Sequence, residues 1–138
     1  MASFAGRRFV SPGAVETQVF DWGTIKWLSE PRVTGTERIT AGVVTLEPGK
    51  GHQRHNHPGA EEILYVIEGE GIQMVDLGNE ERQTVRAGTM IHIPADIYHE
   101  TINTGDRPMK LLAVYSPPGP EALLRSLPGC RIEPPLAG

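Results

Sequence analysis

The sequence predicts an all-β domain, a sandwich or barrel of short strands. Three observations lead there. Turn signals recur at short spacing along most of the chain. Gly 16 and Pro 12 in 138 residues both exceed average usage, as tight turns require. Long stretches with the 3.6-residue apolar period of packed helices are missing.

Taken in order, the punctuation is "SPG" at Ser11, "EPGKG" at Glu47, "HPGA" at His57 and "EGEG" at Glu68. It continues with "LGN" at Leu77, "RAG" at Arg86, "IPAD" at Ile93 and "NTGDRP" at Asn103. Strand-like runs lie between these turns. "TERITAGVVTLEP" (36–48) is rich in β-branched residues. "EEILYVIEG" is apolar on both faces, as in a strand covered on both sides. "GIQMVDL" and "RQTVRAG" are half-polar, and "TMIHIP", "IYHETIN" and "MKLLAVYSP" complete the series. The C-terminal stretch differs, since it holds half of the prolines. "PEALLRSL" suits two helical turns, opened by Pro120 and stopped by Pro128-Gly129, and an extended tail follows.

Length fits one domain able to bury its own core. A single cysteine, Cys130, excludes an intrachain disulfide, and no apolar stretch follows the basic pair Arg7-Arg8 near the N-terminus. A cytoplasmic location is therefore expected. The longest apolar run is about five residues, too short to span a membrane. Net charge is −4, with signs mixed along the chain, so neither a nucleic-acid nor a membrane partner is expected.

All five histidines fall between positions 52 and 99: His52, His55, His57, His92 and His99. His55 and His57 are spaced i, i+2, which on a strand puts both imidazoles on one face. Pro58-Gly59 then turns the chain into Glu61 and Glu62. Glu62 is in phase with Leu64 and Val66, whereas Glu61 is in phase with Ile63 and Tyr65. Periodicity does not choose between them, because both faces are apolar. The second cluster, "GTMIHIPADIYHETIN", places further histidines on a strand-turn-strand. Two such units in a small β domain can close a four-ligand site.

These residues resemble the two motifs of the cupin superfamily, in particular its small single-domain microbial members. Gly49, His55, His57, Glu62 and Gly69 fit G-x5-H-x-H-x3,4-E-x6-G. Gly88, Pro94, His99 and Asn103 fit G-x5-P-x-G-x2-H-x3-N, with Asp96 where the family has glycine. Aspartate tolerates the left-handed backbone region, so the turn is expected to survive. The resemblance implies a jelly-roll barrel (a double-stranded β-helix) over about 36–116. N-terminal strands in 1–35 precede it, and a proline-rich tail (117–138) with the short helical turn follows.

The resemblance also selects Glu62 over Glu61, through the step to Gly69. It implies that His55, His57, Glu62 and His99 bind one divalent transition metal, either Fe, Mn, Ni, Co or Zn. Glu62 and His92 are candidate catalytic groups for moving a proton. His52, Arg54 and Gln73 are candidates for supporting the site or meeting a substrate. For His52 and His92 an ordinary core or surface histidine is the competing reading, and for Arg54 and Gln73 a solvated strand position is. Trp22 and Trp27 read as packing residues.

A full ligand set implies a metal-dependent enzyme on a small oxygen-rich molecule, by dioxygenase or by isomerase, lyase or cyclase-type chemistry. The alternative is a non-catalytic module that binds or senses a sugar or organic acid. A homodimer is expected from the family and from the hazard of an open sheet edge, with the N-terminal strand or tail at the contact.

Overall fold

The computed structural model describes residues 6–136. Residues 1–5 of the N-terminal region and 137–138 of the tail lie outside the described residues. Eleven strands, two short α-helices and one 3-10 turn (Pro12–Ala14) follow one another among the described residues. They are β1 (Thr17–Phe20), β2 (Gly23–Ser29), α1 (Pro31–Thr34), β3 (Thr40–Leu46), β4 (Gly51–His55) and β5 (Glu61–Glu68). Then come β6 (Glu70–Asp76), β7 (Glu80–Arg86), β8 (Met90–Ile93), β9 (His99–Asn103), β10 (Met109–Ser116), α2 (Pro120–Arg125) and β11 (Arg131–Glu133).

The strands form two antiparallel sheets, one in the order β11-β1-β2-β3-β10-β5-β8 and one in the order β4-β9-β6-β7. Alternation sets which side chains face between them. On β10, Met109, Leu111, Ala113 and Tyr115 are buried, and on β5 Glu62, Leu64 and Val66 are. All but Glu62 join Ile25, Trp27, Leu46, Val85, Ile93 and Leu124 in one core. Trp27 is its largest member, and a Cβ at Gly42 would come within 2.7 Å of the indole, so glycine there lets the ring lie flat on β3.

Two expectations need correction. β5 is not covered on both sides, because Ile63, Tyr65 and Ile67 stand 43–45% exposed on the outer face of the sheet. The tail is also more than a draped segment, since β11 pairs in register with β1, Gln18 opposite Ile132. Aliphatic residues on both faces of β5 mimic a strand buried on both sides, and a three-residue strand is too short to show a period. The helical turn falls at α2, with Pro120 in its first turn. No helix among the described residues is long and apolar enough to cross a membrane.

Candidate metal centre

β4 delivers the first donors through an irregularity. His52 pairs with Thr101 but His55 pairs with His99, so three steps on β4 match two on β9. That extra residue is a β-bulge, and it reverses the side-chain phase. Residues three apart would face opposite sides of a regular strand. Here His52 and His55 stack on each other, ring centroids 3.6 Å apart, while Gln53 and Arg54 point to solvent. His57 lies just beyond β4, in the turn rather than on the strand, and is buried.

β5 and β10 supply the carboxylate and its neighbour. Glu62 is 3% exposed on the inner face, directly opposite Tyr115 on β10. Glu61 points outward. Tyr115 is buried beside Glu62, and burial, reinforced by that carboxylate, raises its pKa well above the usual tyrosine value, so it stays protonated at neutral pH. The inward phase of "MKLLAVY" was the available signal for Tyr115, but both phases of that run are apolar.

β9 completes the set with His99, Thr101 and Asn103, all buried. Asn103 is a staple: its amide donates to the carbonyls of Leu46 and Arg107, and its carbonyl oxygen accepts from the Gly105 N–H. Asp96 adopts φ 70° in the turn before β9. Its carboxylate accepts from the Gly59 N–H at 2.8 Å, and its backbone carbonyl accepts from Asn56, which clips the two metal-motif turns together. Asp96→Leu is therefore expected to cost about 1–2 kcal/mol in a denaturant titration, from left-handed strain alone. Asp96→Asn should stay near wild type.

The donor atoms converge. One ring nitrogen from each of His55, His57 and His99 lies within 4.8 Å of the others. Glu62 Oε1 stands 3.0 Å from His99 Nε2 and 3.8 Å from His57 Nε2. His99 Nδ1 lies 2.9 Å from the Ile97 carbonyl oxygen, and His55 Nδ1 lies 2.6 Å from that of Gln53. A carbonyl only accepts, so each Nδ1 carries the proton and each Nε2 presents a lone pair. His99 Nε2 and Glu62 Oε1 thus face each other as two acceptors. Neither has a hydrogen-bond partner, nor does His57 Nε2, although all three are fully buried. A cation held between these buried groups would satisfy all three. Three imidazoles and a carboxylate fit a divalent transition ion.

Burial also favours the neutral, ligating form of His52, His55 and His57. It lowers the pKa of His57 to about 4, and that of His55 to about 2 with help from His52 and His99. For His52 the value is about 4, again mainly through burial. The unfolded chain, with histidines near 6.5, binds more protons than the folded one below that pH. Metal-free protein should therefore hold its full stability above about pH 6.5 and lose it as pH falls through 4. Thermal melts across that range check this, and an unchanged midpoint would contradict it.

The other sequence candidates separate into two groups. His52 joins the cluster, stacked between His55 and Trp22. Gln73 is buried one link away, where it accepts a hydrogen bond from Thr101, a residue lining the chamber. Arg54 does not reach the site: it pairs with Asp76 and Glu80 on the exterior and lies over the Tyr98 ring. His92 also lies outside the donor cluster. Ile93 turns into the core at 1% exposure, so the alternation of β8 sends His92 outward, where it meets Glu61 at 2.7 Å. Trp27 packs in the core, whereas Trp22 belongs to the wall of the site. A chamber of about 40 Å³ remains beside the donors, bounded by Trp22, His52, Thr101, Tyr115 and Leu124 among others.

A family model described as "Cupin domain" matches residues 42–115, which is more than half of the chain. The protein belongs to the cupin family. This cupin is 32% identical over 102 residues to the polyketide synthase CurC of Streptomyces cyaneus, covering 74% of its own chain and 64% of CurC. Among solved structures, the formate complex of Lactobacillus farciminis oxalate decarboxylase matches with a TM-score of 0.70 at 26% identity. That match covers 76% of this cupin and 32% of the decarboxylase chain. A Bacillus subtilis oxalate decarboxylase described by its Mn(II) centres matches at a TM-score of 0.63 and 26% identity, over 69% of this cupin and 26% of that chain. The cupin thus spans less than two thirds of CurC and about a third or less of the decarboxylase chains.

Proposed function

We propose that this cupin is a cytoplasmic metal-dependent enzyme that moves a proton next to a carbonyl in a small chelating dicarbonyl compound, the step shared by isomerase- and cyclase-type reactions. The facing lone pairs of His99 and Glu62, with His57 beside them, carry the reading. His55, His57, Glu62 and His99 would hold the ion, and manganese is the first choice because a similar oxalate decarboxylase is described by its Mn(II) centres. Once bound, a divalent ion supplies Lewis-acid polarisation of substrate oxygens. The likeness to CurC, named a polyketide synthase, supports a 1,3-dicarbonyl substrate.

The chain's own groups then divide the work. His52 lines the chamber and makes ring contacts but no side-chain hydrogen bond among the described residues, so it is the imidazole available to accept a proton. The C–H proton between the two carbonyls passes to His52, and its electron pair moves onto a carbonyl oxygen. Tyr115, protonated and opposite Glu62, stands where its hydroxyl can keep that carboxylate turned toward the ion site. Leu64, Leu111 and Leu124 line the chamber with apolar surface and limit water.

The test follows deuterium exchange at the central carbon of a β-ketoester by NMR. Manganese-loaded protein is expected to accelerate exchange over buffer. His52→Ala should lower that rate by about a hundredfold while the metal stays bound. Oxygen uptake with the same compound would replace this reading by a dioxygenase. Stoichiometric capture of an organic acid or sugar without exchange would replace it by a binding module.

A homodimer belongs to the same proposal. Its contact would use the β8 edge and the outer face around Tyr65 and Met90, where apolar side chains stand exposed. Sedimentation at micromolar concentration should show a dimer that Tyr65→Glu splits into monomers.

A further inference from the structure

The 40 Å³ chamber is small, with room for roughly three water-sized spheres. Outside it lies an open groove of about 790 Å³, running past Lys50, Gln53 and Arg54. Among the described residues, only Trp22, His52 and His55 border both spaces. They form part of a continuous ring stack: Phe20 on Trp22 at 4.6 Å, Trp22 on His52 at 4.8 Å, and His52 on His55 at 3.6 Å. His55 is held by its bond to Gln53, whereas the Trp22 indole and the His52 ring have no side-chain hydrogen bond among the described residues; the indole packs on its ring neighbours and against the core. Trp22 sits in the two-residue turn between β1 and β2, whose backbone is pinned by the Glu47 N–H to the Trp22 carbonyl.

The opposite wall is built differently. Leu124 is buried at 5% exposure on α2. That helix is tied down by Arg125, which reaches Glu30 at 2.8 and 2.9 Å and Glu16 at 3.0 Å, and by Gln18, which donates to the Glu121 carbonyl. Opening that side would break charged hydrogen bonds. Turning Trp22 aside breaks ring and apolar packing but no side-chain hydrogen bond, and leads straight into the groove.

We propose that Trp22 determines which ligands reach the metal, as a side-chain gate between the groove and the chamber. The inference rests on the metal-centre reading above. With the indole stacked on His52, ligands of two or three atoms pass and bulkier ones wait for the ring to swing on its turn. The backbone of the turn stays in place, so the selection lies in one side chain.

Cobalt(II)-loaded protein provides the test, because ligands entering the coordination shell change its visible d–d bands. Azide and benzohydroxamate serve as small and large probes in stopped flow. Trp22→Ala is expected to speed benzohydroxamate binding by about tenfold or more and to leave azide unchanged. Trp22→Leu guards against a folding defect, and Phe20→Leu, which removes the outer ring of the stack, should act in the same direction. Equal rate ratios for the two probes in wild type and both Trp22 variants would overturn the gate while leaving the metal centre standing. Faster benzohydroxamate entry in Leu124→Ala but not in Trp22→Ala would place the route past α2 and also overturn it. Cobalt-treated wild type without d–d bands would remove the metal centre, and the gate with it.

Discussion

Replacing His99 by alanine should reduce affinity for a divalent ion on the order of a hundredfold or more. The side chain contributes a donor that is 2% exposed and whose other nitrogen is already committed to Ile97. It also faces the Glu62 oxygen, so its removal leaves a buried carboxylate without the ring beside it. His55→Ala and His57→Ala should lower affinity by similar amounts, measured by competition with a chelator of known affinity. Glu62→Gln separates charge from shape, since the amide keeps the volume but lacks the negative charge that offsets a dication. It should bind the ion more weakly and leave the melting midpoint of metal-free protein unchanged or higher. His92→Ala is the control: its ring lies on the outer face with Glu61, so metal binding should stay as in wild type.

Arg125→Ala should cost about 3–5 kcal/mol of stability in a denaturant titration, toward the lower end because the arginine is itself 20% exposed. Glu30 is 3% exposed, and Arg125 donates to both of its oxygens. Removing the guanidinium leaves that charge buried. Adding Glu30→Gln to Arg125→Ala should recover a large part of the loss, because a neutral amide tolerates burial better than an unpaired carboxylate. If the double variant is as unstable as the single one, packing of the arginine stem rather than the charge holds α2. The same pair keeps Leu124 against the chamber, so Arg125→Ala should also enlarge the site.

Much of the site was legible because cupin motifs fix spacing as well as residue type. Spacing along strands and turns decides which side chains meet, and His55, His57, Glu62 and His99 do come together. The features that escaped are local breaks in regularity. His52 and His55 share a face only through the bulge at Gln53-Arg54, and one extra residue in a strand leaves no compositional trace. Tyr115 faces Glu62 because of the β5–β10 register, which pairing across half the chain determines. His92 shows the opposite case. Ile91 and Ile93 frame it, and giving the isoleucines the inner face would have sent the imidazole outward from sequence alone.

Glu61 and Glu62 mark the limit of periodicity. Both phases of β5 carry large aliphatic side chains, yet one phase is core and the other exposed. Apolar residues on an outer sheet face look like core until a partner surface is known. The tail posed a related problem, since "RIE" earns its place as β11 only by pairing with β1.

Metal content of protein purified without added metal tests the central claim most directly, read together with X-ray absorption at the edge of the metal found. Close to one divalent transition ion per chain is expected, in a shell of nitrogen and oxygen donors with the imidazole scattering of several histidines, and lost in His99→Ala. Wild-type protein that carries no transition metal, and takes up none when offered manganese, iron or cobalt, would contradict it.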